Sequence, residues 1–132
     1  MLSLKRVKSL VFGLDGMVPI ISTSMIFNSC TVVVSAAATQ IVVSIAGELD
    51  MADADKVAKI LVDSADSGKA TMSLDLSGLT FADSSAVKAI VLGAQAAARR
   101  GVAYELVNPT KRILRLLEVT GLAGSMTIVQ DD

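Results

Sequence analysis

The chain has 132 residues, with 12 Lys and Arg against 13 Asp and Glu, a formal charge of −1, and 52% hydrophobic residues but only 3% aromatic ones. That length suits one domain around one core of Val, Ile, Leu, Ala and Met, and the near-neutral charge gives no general attraction to nucleic acid. With no histidine and a single cysteine, Cys30, the sequence excludes Ser-His-Asp and Cys-His catalysis, an internal disulfide, and His-ligated or cysteine-cluster metal sites.

Residues 1–30 differ from the rest. Lys5, Arg6 and Lys8 precede an apolar stretch from Leu10 to Phe27, which Asp15 and Pro19 interrupt. No small-residue cleavage pattern is clear, and a membrane span needs about 20 mostly apolar residues without a central charge. The segment reads as an N-terminal extension of a cytoplasmic protein without stable membrane insertion. Starts at Met17 or Met25 stay open, and the first strand is expected near Thr31.

From Thr31 the order is regular. Thr31–Ser35 and Gln40–Ala46 read as two strands close enough to pair as a hairpin. Gly47-Glu48-Leu49-Asp50 ends the second. Asp53 is a candidate N-cap for a helix whose apolar face is Ala54, Val57, Ala58, Leu61 and Ala65. Thr71–Leu76 alternates as a strand, and Gly78 breaks that pattern. Asp83-Ser84-Ser85 then opens a helix with Val87, Ile90, Val91, Ala94, Ala97 and Ala98 on one side. Arg99-Arg100-Gly101 stops it, with cations at the negative helix end and Gly at the C′ position. Val102–Val107 is the next strand, Lys111–Glu118 a last helix, and Met126–Val129 a final strand. Strand–helix alternation with short connections implies right-handed crossovers and a largely parallel sheet, made mixed by the first hairpin.

Several motifs carry a resemblance. D-L-S-G-L-T-F-A-D-S-S-A-V at residues 75–87, G-E-L-D at 47–50, and N-P-T followed by L-L-E-V-T-G-L resemble the STAS domain, in particular the anti-sigma-factor antagonists of bacteria. The resemblance implies an α/β fold: a single STAS-like domain over 31–132, with a mixed, mostly parallel sheet of about five strands and three or more helices. It implies a switch protein and no enzyme, acting without a cofactor. Its partners would be an anti-sigma factor with serine kinase activity and a phosphatase. The serine after the aspartate accepts phosphate in that family, and Ser84 stands there, with Ser85 as the alternative acceptor. Ala86 departs from the family, which has glycine at that position. An alternative within the resemblance is a STAS subunit or scaffold of another assembly, in lipid transport, chemotaxis or a stressosome-like body, without phosphorylation.

Each candidate also has a plainer role. Ser84 or Asp83 can simply cap the helix, a contribution of about 1 kcal/mol. Asp83 can orient the Ser84 hydroxyl or only cap. Glu48 and Asp50 could hold Mg²⁺ or do acid/base work, but nothing else in the chain supports a metal, so they read as a solvated, partner-facing pair. Lys111, Arg112 and Arg115 read as a solvated basic edge, and Cys30 as an inert thiol. The expected partner surface is Asp50, Asp83, Ser84, Ser85 and Lys88. Those loops follow strand ends, and the carboxyl ends of parallel strands share one side of the sheet.

Overall fold

The computed structural model describes the backbone of residues 5–12 and 19–130, and side chains from Ile21 to Gln130. Among the described residues seven strands form one sheet in chain order: β1 Lys5–Phe12, β2 Pro19–Ile26, β3 Cys30–Ala36, β4 Gln40–Leu49, β5 Thr71–Ala82, β6 Ala103–Val107 and β7 Thr127–Val129. Among the described residues three α-helices follow β4, β5 and β6 in turn: α1 Ala54–Ala65, α2 Ser84–Arg100 and α3 Lys111–Val119. The strands from β1 to β4 pair antiparallel, and those from β4 to β7 pair parallel. Over Cys30–Val129 the architecture is the expected one: five strands, mostly parallel in their pairing, with three helices. The sheet exceeds that expectation through β1 and β2, which arise from residues read in sequence as an extension.

The register explains which face is buried. Val34, Val43, Leu74, Leu106 and Ile128 lie side by side across five strands. This row belongs to the core with Val32, Ile45, Ile90, Ile113 and Leu117. Strands laid down in one direction through right-handed crossovers place their helices on one face. The other face carries Ser24, Val33, Ser44, Asp75, Val107 and Val129, all only half-buried. Within it Ser73 is buried, accepting from Gln40 Nε2 at 3.0 Å and donating to Glu105 Oε1 at 2.7 Å.

Two local expectations change. Gly78 does not end its strand: β5 runs on to Ala82, and the register shifts so that Gly78 pairs with Ala46. A Cβ at Gly78 would sit 3.0 Å from that of Ala46, so the glycine serves close approach between strands. The buried side of α2 is Ala86, Ala89, Ile90, Gly93, Ala96 and Ala97; Val87, Val91 and Ala94 are half-buried and Ala98 is exposed. The small residues win because α2 presses against α1. A Cβ at Gly93 would stand 3.0 Å from both the Leu61 Cβ and the Tyr104 hydroxyl. That hydroxyl donates to the Ile90 carbonyl at 3.0 Å, and burial keeps it protonated well above the usual tyrosine range.

Candidate functional site

The site forms where β4 and β5 hand over to their helices. β4 ends through a bulge at Gly47, whose φ is +101° and whose absent Cβ would meet the Ser29 carbonyl oxygen at 2.5 Å. Only glycine fits that backbone and that gap. The chain then turns at Asp50. The Asp50 Oδ1 accepts from the Ala52 N–H at 3.0 Å, and its carbonyl accepts from the N–H groups of Asp53 and Ala54. This leaves Met51 at the surface, 77% exposed.

Asp83 fastens this turn to the next helix. Its Oδ1 accepts from the Ala86 N–H at 3.0 Å, capping α2, while its Oδ2 accepts from the Met51 N–H at 3.1 Å. Both oxygens are therefore engaged with backbone, and Asp83 acts as a clamp between the two loops. Ser84, the first residue of α2, is exposed, and Ser85 is half-buried; neither hydroxyl has a hydrogen-bond partner among the described residues. Ala86 is fully buried, so the methyl group that replaces the family's glycine faces the core and presents nothing outward.

Beside these serines runs a cleft of about 240 Å³ between α1 and α2, lined by Met51, Ala54, Asp55, Ser85, Lys88 and Leu92 among others. Lys88 and Leu92 are both partly accessible to solvent. Asp50, Asp83, Ser84, Ser85 and Lys88 thus share one end of the molecule, where the α2 amino terminus carries the positive end of the helix dipole. Glu48 is exposed, and no cluster of acidic, cysteine or histidine residues with metal-binding geometry occurs among the described residues.

Asp53 has a different role from the one its position suggests. It stands at the N-cap of α1, but its side chain caps nothing there. Its carboxylate is fully buried and accepts from Asn28 Nδ2 at 3.0 Å, the Asn28 N–H at 3.3 Å, the Ser29 N–H at 3.0 Å and the Cys30 Sγ at 3.7 Å. Lys56 lies 3.9 Å from it. The carboxylate faces the turn between β2 and β3 and not the helix because a fully buried carboxylate needs hydrogen-bond donors, and this turn supplies them. Met25 and Phe27, on either side of Ile26, are also core residues. Nothing in the sequence pattern near residue 28 signals a partner 25 residues away.

The family described as Mlab, STAS domain, matches residues 32–130. An anti-sigma factor antagonist from Mycobacterium paratuberculosis has a similar fold: TM-score 0.69 and 22% identity, covering 76% of this chain and 86% of that one. A putative anti-sigma factor antagonist from Thermotoga maritima gives 0.61 and 26%, covering 68% and 80%. The phosphorylated form of the Bacillus cell fate determinant SpoIIAA gives 0.54 and 21%, covering 67% and 81%. No curated protein matches. With a family match over most of its length, and a fold shared with solved members of that kind, the chain belongs to the STAS-domain family.

Proposed function

We propose that this protein is an anti-sigma-factor antagonist: a non-catalytic, cytoplasmic binding switch that holds an anti-sigma factor until that partner, acting as a serine kinase, phosphorylates Ser84. A phosphatase resets it. The STAS domain of residues 31–132 carries the switch, and the strands β1 and β2 of the N-terminal extension continue its sheet. The observation that carries the reading is the exposed Ser84 hydroxyl at the head of α2, which has no hydrogen-bond partner among the described residues and stands beside loops that Asp83 clamps in place. The kinase supplies ATP and Mg²⁺; this chain supplies only the acceptor. Phosphate there adds roughly −1.5 to −2 charges at the favourable end of a helix dipole, so the fold tolerates what the docking surface does not. The fold it shares with a protein known in a phosphorylated form is consistent with this.

The partner covers the α1–α2 cleft and the α2 start. Asp50→Ala, Ser85→Ala and Lys88→Ala are expected to weaken binding while leaving the thermal transition nearly unchanged. Equal loss of stability and binding in all three would make these residues structural supports.

A second reading is favoured by the family description, which names Mlab and not an anti-sigma factor antagonist. On that reading the same surface seats a subunit of another assembly, and Ser84 is a contact that is never phosphorylated. Affinity capture from the native cell with identification of the bound proteins separates the two. Recovery of a kinase-like ATPase supports the switch; recovery of membrane transporter subunits supports the second reading.

A further inference from the structure

A second cleft, of about 270 Å³, opens between the end of β5 and α3, lined by Phe81, Ala82, Arg112, Arg115, Leu116 and Val119. Its floor is apolar and its rim cationic. Phe81 is 37% exposed and Val119 75% exposed, so two large apolar side chains meet solvent around one cleft. The Arg112 guanidinium lies over the Phe81 ring at 5.8 Å. Stacking there fixes the arginine while its N–H edge stays available for a bidentate carboxylate. Among the described residues neither Arg112 nor Arg115 has an ion-pair partner. α3 carries Lys111, Arg112 and Arg115 against Glu118 alone, on a chain whose formal charge is −1. This helix is therefore a local concentration of positive charge.

An open surface cleft of this size suits one or two anchoring side chains of a peptide. Exposed aromatic and arginine side chains around an apolar floor are the composition of an interface centre. We infer that this cleft is a second docking surface, which takes an acidic segment of a partner protein: an apolar side chain enters between Phe81 and Val119, and flanking carboxylates pair with Arg112 and Arg115. The inference does not rest on phosphorylation of Ser84, which heads α2 beside the other cleft.

The test is selection of random dodecapeptides displayed on phage against the full chain, followed by binding titrations of the enriched peptides. Enriched peptides are expected to carry Asp or Glu around a Leu, Phe or Met, and to bind the double variant Arg112→Glu/Arg115→Glu at least tenfold more weakly at an unchanged thermal transition. Phe81→Ala and Val119→Asp should weaken them similarly. Enrichment of neutral or basic peptides, or unchanged binding by the double variant, overturns the proposal. So does binding of the chain to phosphatidylglycerol vesicles, lost in the double variant, without any enriched peptide; that result would make the cleft a lipid-surface contact. Kinase assays on the double variant keep the two proposals apart, since Ser84 should still accept phosphate in it.

Discussion

Asp50 and Asp53, on the same turn, illustrate how burial decides the role of an aspartate. The Asp50 side chain accepts one solvent-side N–H, whereas Asp53 is enclosed and takes four donors from residues 28–30. Hydrogen bonds to a charged group are worth roughly 1.5–3 kcal/mol each, and orphaned buried donors add a penalty. Asp53→Ala should therefore cost about 3 kcal/mol or more in urea unfolding, and Asp50→Ala about 1 kcal/mol or less. Cys30 shares the Asp53 pocket. Burial first, and then the Asp53 charge, push its thiol up from 9.0 to about 12. Well below its ordinary value of 9.0 the thiol is neutral in both folded and unfolded chains. Between pH 9 and about 12 the unfolded chain loses the proton that the folded chain keeps, so this contribution to stability falls as pH rises through that window. The measurement is urea unfolding at a series of pH values, compared with Cys30→Ala, whose pH dependence over that window should be flatter. In the native protein the thiol should resist alkylation at about pH 8.

At the scale of elements, most of the chain from Thr31 is legible in the sequence because its signals are local. Alternation marks β5, the Asp83 cap and Gly101 stop bound α2, and Thr110 caps α3 by accepting from the Ile113 N–H. What is not legible depends on distant contacts. The true inner face of α2 follows from its pressure on Leu61, and β5 continues past Gly78 because Ala46 lies opposite. The strand β2 hides in an apolar run broken by Pro19, yet it pairs with β3 from Ile21 to Ile26 and sends Met25 into the core. The clamp formed by Asp83 needs Met51, a partner 32 residues away that no local pattern announces. These contacts give a truncation test. A chain starting at Met25 keeps Met25, Phe27 and the donors to Asp53, and should fold and bind its partner. A chain starting at Thr31 loses them all and should lose more than about 3 kcal/mol, the size of a large core deletion. Equal stability of the two, by urea unfolding, would contradict a structural role for residues 25–30.

At the scale of the whole molecule, the proposed switch adds a phosphate of roughly −1.5 to −2 charges to an unchanged fold. Phosphate at Ser84 should change the thermal transition little, since the dipole contribution there is about 0.3–1 kcal/mol. A docked interface must desolvate that phosphate beside the carboxylates of Asp83 and Asp50, and a loss of about 3 kcal/mol would weaken affinity more than a hundredfold. Ser84→Ala should bind constitutively and accept no phosphate; Ser84→Asp should bind weakly, though one carboxylate imitates phosphate poorly. The direct measurement is incubation of the full chain with its cognate kinase and ATP, mass spectrometry of the product, and titration of both forms against the partner. The switch predicts one phosphate on Ser84 and a loss of affinity of roughly a hundredfold or more at nearly constant thermal stability. Phosphate on Ser85 alone would move the acceptor by one residue. No phosphate on either serine, with binding unchanged in Ser84→Asp, would contradict the switch.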